Sequence, residues 1–375
     1  MKQVIGLSLF LLILWSAAAA EITVPRLEMA SRGRVDSGDF VLSSFLSADF
    51  ALSGGYKYAF LLGFSLEIPD IANLNNQSLL GFRVAKATAR DIFGLPLELS
   101  YFLGSGDDFC SGDEFSSRFG LSPFGTDFRG FFYFPEGIGG IATNQYNGIY
   151  GARGTGFSFA LTKWDKFIPM LYFYQNFTDS EPNHVFNDEN YYSGDLRLLF
   201  HHNWLRMETF GGASFNSSME TSLRGGLMLH LDAGNGTEFF AQAGIPGWIT
   251  SEKFSIDNLF FLIEPRLRLN LLRVTVTFFY HPLEYLHVRT DDERGKADIN
   301  IKFQYGNLDS GLTGGVETGG ELKLDGSTDF VFCVSPFVSF ISSGLRWDAK
   351  IRILPLEFNK PEKLFEFFIG VRTAF

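Results

Sequence analysis

Several segments of this chain alternate apolar and polar residues with a period of two, and that spacing leaves few folds open. Between residues 39 and 52 one set reads Phe40, Leu42, Ser44, Leu46, Ala48, Phe50, Leu52, against Asp39, Val41, Ser43, Phe45, Ser47 and Asp49. Ala297, Ile299, Ile301, Phe303 and Tyr305 alternate with Asp298, Asn300, Lys302 and Gln304. Leu345, Trp347, Ala349, Ile351 and Ile353 alternate with Arg346, Asp348, Lys350 and Arg352. In a strand these sets face opposite ways, whereas a helix would spread the charges around a cylinder. Pairs such as Gly54-Gly55, Asn75-Asn76, Gly211-Gly212, Asn235-Gly236, Asp325-Gly326 and Ser343-Gly344 read as turns between strands. Hairpins of this length across the chain predict an all-β protein of about 16 strands, with 14 to 18 allowed, in a single sheet.

Composition separates the ways such a sheet can be used. Hydrophobic residues make up 46% and aromatic residues 16% of the chain, including 43 Phe. That apolar material is dispersed by alternation rather than concentrated, as a sheet with one face in lipid requires. The most apolar internal stretch, Leu259 to Tyr280, contains Glu264, Arg266, Arg268 and Arg273, too many charges for a lipid-facing helix. A net charge of -11 argues against nucleic acid as a partner. At the start, Lys2, an apolar run from Val4 to Trp15 and small residues from Ser16 to Ala20 predict a cleaved signal peptide, 1–20, with 21–375 forming the barrel. The two cysteines, Cys110 and Cys333, leave a single bridge or two free thiols open. A soluble β-sandwich also alternates, and the internal strands alone do not separate it from a barrel.

The final strand does. Counting back by twos from Phe375 gives Thr373, Val371, Ile369, Phe367 and Phe365, and the other face carries Arg372, Gly370, Phe368 and Glu366. This resembles the C-terminal assembly signal of Gram-negative-type outer-membrane β-barrel proteins, with Phe365, Phe367, Ile369, Val371 and Phe375 as its elements. Thr373 departs from the apolar pattern but is a good strand former. The resemblance covers the last 11 to 13 residues closely and the rest only in rhythm and composition. It implies a closed antiparallel transmembrane barrel, export through the periplasm to a bacterial outer membrane, and contact with the bilayer and the assembly machinery. No subfamily motif matches.

The functional expectation is a porin-like channel for passive passage of small solutes. Arg266, Arg268, Arg273, Arg346, Lys350, Arg352 and Arg372 fall on the polar face of four late strands and are expected to line the pore. Such rows would favour anions, unless carboxylates such as Glu264, Asp348 and Glu366 neutralise them. Gly104 to Gly148 breaks the alternation and is expected to be a long loop or insert, folded inward as a constriction or outward at the surface, with a pair of extra strands as a third alternative. The alternative is a non-channel surface or adhesin-type barrel with a blocked lumen. No enzyme, cofactor or metal is expected. His230 and Asp232 share a face but read as lumen polar groups, and His201-His202 puts its rings on opposite faces. A phospholipase-type His-x-Ser is missing, and a TonB-dependent receptor needs more chain. A homo-oligomer stays open. Asn176 and Asn235 head chance sequons.

Overall fold

The computed structural model describes residues 20–36, 38–68, 71, 79–122, 124–127, 148–176, 191–216, 220–281, 284–285, 288–289, 296–307, 311–323 and 330–373. The leader apart from Ala20, residues 128–147 of the long insert, the Asn75-Asn76 and Asp325-Gly326 pairs and the terminal Phe375 lie outside the described residues.

The strands, in chain order, are β1 (Glu21–Asp36), β2 (Asp39–Gly54), β3 (Tyr58–Ile68), β4 (Leu79–Ala89), β5 (Leu97–Phe109), β6 (Tyr150–Leu161) and β7 (Phe167–Asn176). Next come β8 (Tyr192–His202), β9 (Leu205–Phe215), β10 (Thr221–Asp232), β11 (Glu238–Ile249), β12 (Phe260–Leu269) and β13 (Leu272–His281). The remainder are β14 (Glu284–Tyr285), β15 (Val288–Arg289), β16 (Lys296–Gly306), β17 (Leu312–Lys323), β18 (Phe330–Ser342), β19 (Leu345–Ile353) and β20 (Phe365–Thr373). The short β14 and β15 pair only with each other. The other strands form one 18-stranded sheet in which each pairs with its sequence neighbours, all antiparallel. β20 pairs with β1 from Glu28↔Arg372 to Arg34↔Glu366, which closes the ring and removes the open edge.

The two faces are inverted relative to a soluble protein. Leu227, Phe261, Leu267, Ile299, Phe303, Val338, Ile351, Phe367 and Ile369 are exposed on the outside, while Glu28, Asp195, Arg197, Glu208, Arg224, Glu264 and Arg266 are buried within. A sandwich would do the reverse, so this distribution excludes it. The ends differ too. The rim where β1 begins and β20 ends carries short connections, residues 55–57, 90–96, 162–166, 203–204, 233–237, 270–271, 307–311 and 343–344. The opposite rim carries the longest ones, 110–149, 177–191 and 282–295, beside shorter connections at 37–38, 216–220 and 324–329.

Several expectations are refined. The ring has eighteen strands, the upper end of the expected range, because two-residue turns at 37–38, 203–204, 270–271 and 343–344 waste little chain. Leu259 to Tyr280 is the β12–β13 hairpin, with Leu269↔Leu272 flanking its turn. Ser343 and Gly344, both at positive φ, make the β18–β19 turn as expected. Gly211-Gly212, however, is not a turn. It lies inside β9, where Gly212 faces Asp195, and a Cβ there would collide with that carboxylate. The cysteines are both free and buried, Cys110 at the end of β5 and Cys333 in β18. Of the two open alternatives, the structure has the free thiols.

Replacing Gly212 by Val should force Asp195 and its ion pair apart. The expected cost is about 1–3 kcal/mol, read as a lower midpoint of urea unfolding followed by the loss of heat-resistant mobility in gels.

Candidate functional site

The interior is built in two unequal halves. On β5 to β13 the inward positions carry Phe102, Phe109, Met170, Tyr172, Leu199, Phe210, Met228, Phe240, Leu262 and Phe279, all buried. They are covered by the chain itself. After Phe109 the chain turns inward and forms α1 (Asp113–Phe119), whose Phe115 is fully buried and packs with Phe119 and Phe124 against this apolar lining. Burying such rings typically contributes roughly 1.5–3 kcal/mol each.

Polar anchors hold the segment at both ends. The Cys110 N–H donates to Glu208, and the Gln242 side chain donates to the Cys110 carbonyl. Glu208 also pairs with Arg197 at 2.7 Å, and Arg197 donates to the Asp108 carbonyl at 3.1 Å. At the far end Glu264 accepts from the Thr126 hydroxyl at 2.6 Å and the Asp127 N–H at 3.0 Å, and Arg266 donates to the Gly125 carbonyl. Between them Phe124 stacks on His230, with centroids 4.6 Å apart, and the Arg206 guanidinium lies over the Phe124 ring at 4.9 Å. Residues 110–127 therefore lie inside the ring, fastened to β8 through β13.

The expected pore-lining cations share the inner face, with Arg268 at its rim. Arg266 meets Glu264 at 2.5 Å and Glu238 at 2.7 Å, and Arg273 meets Asp127 at 3.4 Å. Arg346 and Arg372 share Asp348 at 3.0 and 3.6 Å, Lys350 meets Glu317 at 2.6 Å, and Arg352 meets Glu366 at 3.2 Å. Arg268 instead sits at the β12–β13 turn, with its Nε 3.5 Å from the Asn270 carbonyl. The cationic rows thus run beside carboxylates rather than standing alone. His230 lies within 3.5 Å of Glu238, while Asp232 accepts from the Gly234 N–H at the β10–β11 turn, so these two do not form a pair. Of the strand-terminal signal residues, Phe365, Phe367 and Ile369 project outward, Val371 is nearly covered, and Phe367 contacts Phe40 of β2 across Gly33.

Open space remains on the side that the segment does not cover. A cavity of about 840 Å³ lies between α1 and β2 to β6, where Arg83, Lys86, Arg90, Arg118 and Arg153 mingle with Glu21, Glu98, Asp107, Asp108 and Glu114. A smaller hollow of about 160 Å³ lies against β16 to β20, among Lys302, Arg346, Lys350, Arg372, Glu317 and Asp348, with Asp127 at its rim. Among the described residues no group of His, Cys, Asp and Glu has the arrangement of a metal site. Sequence reasoning did not find Phe124, Asp127, Glu208, Glu238 or Glu317. Parity could assign Glu238 and Glu317 to the inner face, but their partners depend on register.

No known protein family matches the chain, and no curated protein matches it. Solved structures do. A mutant of the Rh. blastica porin aligns over 95% of this chain and 100% of its own, at 10% identity and a TM-score of 0.47. Salmonella typhi OmpF, in a complex with daunomycin, aligns over 95% of this chain and 97% of its own, at 12% identity and a TM-score of 0.46. The fold is a porin-like closed barrel. The closed ring of ladders and the inverted faces establish that fold, independently of these distant likenesses.

Two outcomes test the fastening. Glu264→Ala removes the acceptor shared by Thr126, Asp127 and Thr277. It should make residues 110–127 several-fold more sensitive to added protease while the strands stay resistant. Asp113 is exposed at its surface yet ringed by protein, and burial, then the nearby Asp108 carboxylate, pushes its carboxyl up to about 6. A carboxyl raised in the folded state favours folding most below its unfolded value, and that contribution is lost as pH rises through about 6. Hydrogen exchange of α1, corrected for intrinsic rate, should therefore speed up between pH 5 and pH 8, and Asp113→Asn should flatten the profile.

Proposed function

We propose that this protein is a bacterial outer-membrane channel that passes small solutes passively. The observation that carries the reading is the inversion of faces: a closed ring with large apolar side chains outside and ion pairs around open space inside. An aqueous lumen and a hydrocarbon exterior are the two surroundings such a wall satisfies. Export through the periplasm, removal of residues 1–20 and recognition of the last strand by assembly machinery belong to the same reading. The gathering of long connections at one rim supports an orientation with that rim outside the cell.

Residues 110–127 narrow the lumen by occupying the β8–β13 side, so passage runs along β1 to β6 and β16 to β20. The pairing of the arginine rows with carboxylates makes charge selectivity weak. A slight anion preference draws on the cations of the β16–β20 wall, Lys302, Arg346, Lys350 and Arg372. The competing reading, a blocked surface barrel, draws on the packed apolar core that fills the β5–β13 half.

Single-channel recordings in planar bilayers decide between them. Purified protein should give discrete conductance steps, and replacing residues 113–121 by a short Gly-Ser link should raise the step size about twofold or more, by widening the narrowest section. Complete absence of steps from correctly folded barrels would rule the channel out.

A further inference from the structure

We propose that a recess on the outer face of β10 to β13 holds one acyl chain of a bilayer lipid, with the Tyr280 hydroxyl donating to the lipid's ester carbonyl. The site rests on that part of the channel reading in which this face meets hydrocarbon, and it needs no conduction.

Register opens the recess. A bulge interrupts the β10–β11 ladder between Leu223↔Trp248 and Gly225↔Ile245. The β11–β12 ladder ends at Gly244↔Phe260 although β11 runs on to Ile249, so the two strands part toward the rim of long connections. Where they part, the outward side chains are small. Gly225 lies between exposed Leu223 and Leu227, and Ala243 lies opposite Leu227 and Phe261. The connection 250–259 supplies a bank. It is fastened by the Trp248 Nε1–H, which donates to the Glu252 carbonyl at 3.1 Å, and by the Trp248 and Phe254 rings, 5.4 Å apart. Its Ile256 and Leu259 line the same space as Gly225 and Ala243. The recess has a volume of about 800 Å³, within the roughly 300–1,000 Å³ of small-molecule sites.

The lining names the occupant. Its side chains are apolar apart from Arg224, which is turned to Asp195 at 2.6 Å, the Trp248 N–H already given to Glu252, and Tyr280. Tyr280 stands opposite Phe261 in register and is only 9% exposed, yet its hydroxyl meets no hydrogen-bond partner among the described residues. The Asp257 carboxylate approaches it without completing a bond, and accepts from the Ser255 hydroxyl at 3.2 Å. A hydroxyl buried among apolar groups is disfavoured until an acceptor reaches it. A lipid brings both parts, a methylene chain for the apolar lining and an ester carbonyl for the hydroxyl. Asp257 beside that hydroxyl repels the carboxylate of a free fatty acid, so the assignment is to an esterified chain. A second copy of the protein is a poor occupant. Thirteen residues line the recess, whereas a stable interface takes about 20–30 on each side.

Fluorescence quenching by brominated chains tests the site in the folded full-length barrel. Trp15→Phe, Trp164→Phe, Trp204→Phe and Trp347→Phe together leave Trp248, in the lining of the recess, as the reporter. A control barrel carries Trp248→Phe and keeps Trp347, on the outer face of β19. In dodecyl maltoside micelles, phosphatidylcholine brominated at mid-chain should quench Trp248 to a plateau, and a large excess of detergent should leave that quenching in place. Quenching of Trp347 should fall in proportion as detergent dilutes the lipid. Ala243→Phe, pointing outward into the recess, should abolish the retained quenching. Tyr280→Phe should weaken retention about fivefold, the worth of one hydrogen bond. Brominated stearic acid at pH 9 should be retained about tenfold less than the lipid, and Asp257→Asn should narrow that gap. Circular dichroism and heat-resistant gel mobility confirm the fold of each variant. Equal loss of quenching at Trp248 and Trp347 on dilution, or retained quenching with Ala243→Phe, would overturn the site. Fatty acid held as well as the lipid would overturn the ester assignment. Trp248 unquenched in vesicles of the brominated lipid would show protein filling the recess and refute lipid occupancy. Conductance steps without lipid retention would remove the site and leave the channel; retention without steps would do the opposite.

Discussion

The contact between β1 and β20 is what the rest of the molecule depends on. A sheet whose outer face is apolar has no surroundings in which its edge groups can find water, so an open ladder would leave a row of N–H and C=O groups unpaired. Register from Glu28↔Arg372 to Arg34↔Glu366 removes that edge. The side chains fit the same closure. Gly33 gives up its side chain so that Phe367 can lie across it onto Phe40, joining three strands at the seam. Arg32 reaches Glu366 on the inner side of the same seam.

Closure then sets a second problem, which is how to fill a ring wider than its own side chains. Two solutions are used side by side. On the β5–β13 half, aromatic and aliphatic residues converge on the inserted segment and make a dry core. On the other half, arginines, lysines and carboxylates pair along the wall and keep it polar. Buried ion pairs such as Arg197–Glu208 and Arg224–Asp195 lie within the packed half itself, on β8 to β10. Taking such charges out of water costs about as much as their attraction returns, so they add little net stability. What they add is geometry, since each holds one backbone or segment in one place.

This division explains what could be read from sequence. Alternation is clean on β16, β19 and β20, because one face meets apolar surroundings and the other meets charge and water. On β7, whose residues run Phe-Ile-Pro-Met-Leu-Tyr-Phe-Tyr, both faces are apolar, since Met170 and Tyr172 point at the insert while Leu171 and Phe173 point outward. The period vanishes there although the strand does not. Parity also sufficed to assign Arg266, Arg346 and Arg352 to the interior. It could not supply their partners. Asp127 lies 146 positions from Arg273, and only the folding of the insert brings them together. The same holds for Phe124 and His230. Gly211-Gly212 misled for a related reason: a glycine pair marks either a sharp turn or a crowded approach, and here Asp195 supplies the crowding.

The fastening of residues 110–127 has a mechanical consequence. A ring of strands resists stretching along its ladders but bends easily across them, so a wide empty hoop tends to flatten. The segment leaves β5, crosses the interior, and is tied to β9 and β11 at Cys110 and to β12 at Gly125 through Asp127. It works as a chord across the hoop. Points on the wall that the ring alone would let drift are held at set separations, and the stiffened arc runs from β5 to β13. Among the described residues the remaining arc carries no such chord.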